Sequence, residues 1–95
     1  MAKENIEELA NGYLDSAREA RDIGNIERAR KHFAISWGFN KYLERMDFLE
    51  ISTRSLKLTG LDSEEVKAYQ MYGEGMARYS INLGNRIEKL LSKRE

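Results

Sequence analysis

His32 is the only histidine in the chain and the natural place to look for acid–base chemistry. Such work needs the ring beside a carboxylate or an activated nucleophile. Its neighbours in sequence are Arg28, Arg30 and Lys31. Nearby cations favour the neutral imidazole and do not prime a dyad. His32 therefore reads as a surface or hairpin-lining side chain, with pH sensitivity as its functional option.

Paired acids occur at Glu4/Glu8, Glu7/Glu8 and Glu64/Glu65. A di-metal helical bundle would need inward carboxylates together with a Glu-x-x-His motif, and the sequence contains none. With no cysteine, disulfides and thiolate metal sites are excluded. Gly73-Glu74-Gly75 lacks the strand context of a phosphate loop. No catalytic residue, metal ligand or cofactor site is expected, and nothing motivates an enzyme.

Two sets of residues could instead bind something. Arg28, Arg30 and Lys31, with Lys41 further along, are candidates for contact with an anion or a nucleic acid. Cations near a helix start oppose the helix dipole, so their placement asks for a reason. The plainer account is pairing with Asp15, Glu19 and Asp22 across a helical hairpin. The second set is Tyr69, Tyr72, Met76, Tyr79 and Leu83, a stripe of residue types enriched at protein interfaces. Its plainer account is core.

Composition limits the choice. Ninety-five residues suit one domain, here 1–95, with a modest core. Sixteen basic and sixteen acidic groups balance to zero, whereas nucleic-acid binders usually carry a basic excess. Residues 1–25 hold three basic and six acidic groups, residues 26–60 seven and four, and residues 61–95 six of each. No apolar run reaches the roughly 18–20 residues of a membrane span, and the start lacks the apolar core of a signal peptide. The expected compartment is the cytoplasm.

The elements that must position these residues are helices. Ile6, Leu9, Ala10, Tyr13, Leu14, Ala17 and Ala20 fall on one face of a 3.6-residue period, so a first helix is predicted over about 4–23. Gly24-Asn25 supplies a glycine cap and then an N-cap, which makes a tight hairpin turn. A second helix is predicted from Ile26 to Leu58, stopping at Gly60. Its apolar face changes partway, from Ile26, Ala29, Phe33 and Trp37 to Ile35, Phe39, Tyr42, Leu43, Met46 and Leu49. The first half should pack on helix 1 and the second half on helix 3, with Gly38 at the changeover.

A third helix is predicted over about 62–92, opened by a capping box at Asp62-Ser63-Glu64-Glu65. It carries a heptad seam of Val66, Tyr69, Gly73, Met76, Ser80, Leu83, Ile87 and Leu90. Beside the seam runs a small-residue stripe, Gly73, Ala77, Ser80 and Gly84, suited to close helix packing. The apolar arc is about 200° wide, more than two short partners cover. The tail from Ser92 to Glu95 should fray. The expectation is an all-α, three-helix bundle on an antiparallel hairpin (about 4–58) with a long C-terminal helix.

Residues 9–51, LANGYLDSAREARDIGNIERARKHFAISWGFNKYLERMDFLEI, resemble a small archaeal family of helical proteins of unknown function with a tetratricopeptide-like hairpin. Tyr13, Ala17, Gly24, Ala29, Gly38, Phe39 and Glu50-Ile51 carry the resemblance. The family's His before its second glycine and Asp three residues after it are here Trp37 and Lys41. Its Asp before the first-helix alanine is here Ser16, with Asp15 one place earlier. The resemblance implies a helical bundle of archaeal origin and no known activity. The functional expectation is an interaction or scaffold module working through protein contacts or homodimerisation, the alternative being nucleic-acid or anion binding through the basic cluster.

Overall fold

The computed structural model describes residues 1–93. Arg94 and Glu95, the end of the expected frayed tail, lie outside the described residues. Four helices follow one another: α1 (Lys3–Asp22), α2 (Ile26–Tyr42), α3 (Met46–Leu58) and α4 (Ser63–Ser92). The architecture is an all-α bundle, as the periodicity predicts.

Two junctions form as read from the sequence. At the first, Gly24 takes φ 83°, Asn25 N–H donates to Ala20 O at 2.8 Å, and Asn25 Oδ1 accepts from Arg28 N–H at 3.3 Å. Glycine reaches this left-handed region without a Cβ penalty. At the start of α4, Asp62 and Glu65 each accept the other's backbone N–H, completing the capping box.

The expected single helix from Ile26 to Leu58 is corrected to two. The chain leaves α2 at Leu43, and Glu44 adopts φ 57°. Glu44 N–H donates to Lys41 O and Arg45 N–H to Asn40 O, at 3.1 and 3.0 Å. That pair of bonds is a Schellman stop built without glycine. The break is held from outside the turn: the Arg45 guanidinium lies 3.8 Å from the Phe48 ring centroid and reaches Asn11 Oδ1 of α1 at 3.5 Å. Folding back lets α3 add Leu56, with Phe48 and Ile51, to a core it would otherwise miss.

Helix α2 is the centre of the bundle. It packs along α1 and α4, and less extensively on α3. The expected division of its partners by halves does not hold. Ala29 and Phe33 join Leu14, Ala17 and Ala20 of α1, but also Leu56, Leu61 and Val66. Ile35 and Phe39 join Ile6 and Ala10 of α1 together with Ala77 and Ile81 of α4. Each half of α2 therefore meets both neighbours. Ser36 Oγ donates to Ala10 O at 2.8 Å inside the α1–α2 contact.

The α2–α4 crossing is set by glycine. A Cβ on Gly73 would run into the carbonyl of Ala34, and one on Gly38 into the carbonyl of Gly73. The two backbones touch at this point. Such an approach keeps the start of the heptad seam on the core and turns its later members away. The buried line of α4 is Val66, Gly73, Ala77 and Ile81, while Met76, Leu83, Ile87 and Leu90 of the expected seam are exposed. At about 1.5 Å per residue α4 runs about 45 Å, nearly the whole 50 Å length of the molecule.

Candidate functional site

The four candidate anion contacts are not brought into one patch. Arg30 turns toward the end of α3, donating from Nε to Thr59 Oγ1 at 3.0 Å and from Nη2 to Thr59 O at 2.6 Å. It is a clamp between α2 and the α3–α4 turn. Lys41, near the other end of α2, pairs with Glu74 of α4 at 3.1 Å and lies 5.2 Å from the Trp37 ring centroid. Lys31 pairs with Glu27 on its own helix at 3.4 Å. The expected pairing with α1 acids is not seen among the described residues. Asp15 and Asp22 pair instead with Arg18 and Arg21 of α1 itself.

Arg28 and Lys31 border an open groove of about 370 Å³ whose other walls include Tyr13, His32, Ile35 and Tyr72. Ser16 Oγ and His32 Nδ1 share a 2.7 Å hydrogen bond. Tyr13 meets the imidazole edge-on at 5.2 Å between centroids. Partial burial, and then the Arg28 charge, hold the His32 pKa below its ordinary 6.5. The ring is thus the neutral one its neighbours imply. It is fixed on the α1–α2 hairpin by a serine, and its other nitrogen is left for solvent or a ligand.

The candidate interface residues lie along α4, which the capping box starts and the Gly73 crossing orients. Tyr69 departs from the rest, being half-buried against the core around Phe33 and Val66. Tyr72, Met76, Tyr79 and Leu83 are exposed, Tyr79 at 64%. The stripe does not end there. Ile87, Leu90 and Leu91 are exposed as well, Leu90 at 56%. The sequence reading leaves them out of the candidate stripe, although the recurrence of apolar positions at steps of three and four continues through them. A shallow depression of about 200 Å³ lined by Lys31, Ala68, Tyr69 and Tyr72 marks its N-terminal end.

Residues 85–93 are exposed at every position. The last turns of α4 therefore run past α2 with little beneath them. Met1 is the exception, its side chain lying against Gly84 and its amine bonded to Asn85 Oδ1 and, at 3.1 Å, to Glu88.

Among the described residues, no group of three or more His, Cys, Asp or Glu side chains could hold a metal ion, and no helix is long and apolar enough to cross a membrane. The arrangement offers a helical edge carrying an apolar stripe, flanked by a polar groove with one imidazole. No protein-family model, no curated protein and no solved structure matches the chain.

Proposed function

We propose that this protein is a helical interaction module that binds another polypeptide through the exposed face of α4. The observation that carries the reading is the continuous stripe Tyr72, Met76, Tyr79, Leu83, Ile87 and Leu90, each at least 39% exposed on one helix. Single exposed apolar residues are ordinary, whereas a contiguous row of large ones marks a binding surface. Two tyrosines and a methionine supply large contact area with few rotamers to freeze. The capping box and the Gly38–Gly73 crossing hold the part of the helix that carries Tyr72, Met76 and Tyr79 in place, so ordering that part on binding costs little. The resemblance to the archaeal helical family supports the α1–α2 hairpin as the frame of such a module and brings no activity with it.

Anion or nucleic-acid binding draws less support. Arg30 and Lys41 are committed to Thr59 and Glu74, leaving in one groove only Arg28 and a Lys31 already paired with Glu27. A phosphate-tracking surface needs several cations in register.

The test uses the double variant Tyr72→Arg/Leu83→Arg, which places two charges in the stripe without touching a fully buried position. Immobilised native chain and variant are challenged with lysate from the source cells, and retained proteins are identified by mass spectrometry. The reading expects proteins held by the native chain and lost from a variant that keeps its helical circular dichroism. Identical retained sets would overturn it.

A further inference from the structure

We infer that the occupant of the α4 face is a second copy of this chain, docked antiparallel about a two-fold axis that crosses α4 at the level of Ile81. The inference rests on the interaction reading above and names the partner.

The stripe is close to self-complementary when reversed. Its members are Tyr72, Met76, Tyr79, Leu83, Ile87 and Leu90, separated by steps of three and four residues. Laid antiparallel, Tyr79 of one copy falls opposite Leu83 of the other, Met76 opposite Ile87 and Tyr72 opposite Leu90. The three layers agree on one axis to within a residue. Steps of three and four are those by which two helices interdigitate, and a two-fold interface must be built from one patch facing itself. In each layer a larger or more flexible side chain from the N-terminal half meets a branched aliphatic one from the C-terminal half. A parallel pairing would stack Tyr79 on Tyr79 and Leu83 on Leu83.

Charge on α4 and its cap is segregated in the sense this pairing needs. Residues 62–75 carry four acidic groups and one basic group, a net −3, and residues 76–93 carry four basic and one acidic, a net +3. In this antiparallel register Lys93 falls opposite Tyr69 of the partner, four residues from Glu65, so the basic end of each helix approaches its partner's acidic start, whereas parallel docking sets like against like. Complementary fields of this kind fix orientation more than affinity.

The overhang supplies a further reason. Residues 85–93 are exposed throughout and touch the bundle through the Met1 amine at Asn85 and Glu88, yet so short a helical end with no apolar floor is marginal in water. In the antiparallel pair the overhang of each copy lies along the bundled part of its partner's α4, and Ile87 and Leu90 gain a floor. Were they covered completely, the exposed parts of the six residues in two copies would bury about 1,000 Å² at most, the lower edge of specific interfaces. The pair is therefore a concentration-dependent dimer and not a permanent one.

The experiment combines mass and orientation. Light scattering after size exclusion follows the full chain over about 1–500 µM, a range suited to an interface of that size. The expected result is a rise from 11.1 kDa toward twice that mass, and Leu83→Arg should raise the dissociation constant at least tenfold with helical content unchanged. The chain has no cysteine, so Asn82→Cys and Ala68→Cys each give one spin-label site per copy. Antiparallel pairing places Asn82 beside its symmetry mate and Ala68 about 40 Å from its own, at 1.5 Å per residue. Close labels at both positions would overturn the antiparallel register. A dimer indifferent to Leu83→Arg would overturn the face. A monomer at every concentration would overturn self-pairing. If the lysate set still depended on Tyr72 and Leu83, the interaction reading would survive that failure; if it did not, both would fall.

Discussion

His32 shows how one residue's surroundings become a measurable dependence on pH. Its folded pKa lies below 6.5, from burial first and the Arg28 charge second. Between the folded value and 6.5 the unfolded chain binds more protons than the folded one, so stability rises with pH across that window. The protein should lose stability as pH falls through 6.5, and the loss should level off below the folded pKa. Replacing His32 with Gln removes the titrating group, so thermal unfolding followed from pH 7.5 to 5 should show a flatter profile for H32Q; an unchanged slope would assign the effect to the carboxylates. Arg30 makes a second prediction at this scale. Its guanidinium bonds Thr59 twice, so Arg30→Ala should destabilise by about 1.5–3 kcal/mol in urea unfolding, the range for bonds to a charged donor. Arg30→Lys should not restore it, because an ammonium cannot reproduce the fork. The chain's order of residues gave notice of His32's neutral ring, since the cations stand beside it. It gave none of Arg30's duty, because Thr59 lies twenty-nine positions away and only the α3 fold-back brings it near.

Among the elements, the glycines of α4 make a matched pair of tests. Gly73→Ala would drive a methyl into the Ala34 carbonyl, and backbone on both sides leaves nothing free to move. It should destabilise by about 3 kcal/mol or more, at the upper end of overpacking effects. Gly75→Ala, two residues on, has nothing within 4 Å and should stabilise by about 0.5–1 kcal/mol through helix propensity. Opposite signs in chemical denaturation would locate the crossing at Gly73; equal signs would refute it. Glu44 is the companion case in a turn. A left-handed non-glycine residue is strained by about 1 kcal/mol, so Glu44→Gly should stabilise. These cases also show what was legible. Gly24, Asn25 and the Asp62–Glu65 box announce their turns by residue type, and the hairpin and the start of α4 follow. The α2–α3 break has neither glycine nor proline to announce it. The reach of Arg45 to Asn11 of α1 and the burial of Leu56 decide it, and both are tertiary. The heptad reading of α4 went astray for a related reason: periodicity shows that a wide arc is apolar, while the close Gly38–Gly73 contact decides which part of the arc meets α2.

For the molecule as a whole, the decisive feature is one helix longer than the bundle that holds it. Helices α1, α2 and α3 fold around a shared core, and α4 joins that core only as far as Ile81. Hydrogen exchange should read this difference directly, since amides open with a free energy set by local packing. In dilute protein, amides around Val66, Gly73 and Ala77 should be the slow set of α4. Those from Asn85 to Ser92 should exchange fast, like a frayed end, despite their helical geometry. Raising the concentration into the dimer range should slow residues 85–92 by at least tenfold and leave the core amides of α2 nearly unchanged, because the partner covers the overhang and not the core. A Leu90→Arg variant should abolish that concentration dependence while retaining the slow set. Were the terminal amides already slow in dilute protein, the last turns of α4 would be stable alone, and the overhang would give no drive toward pairing.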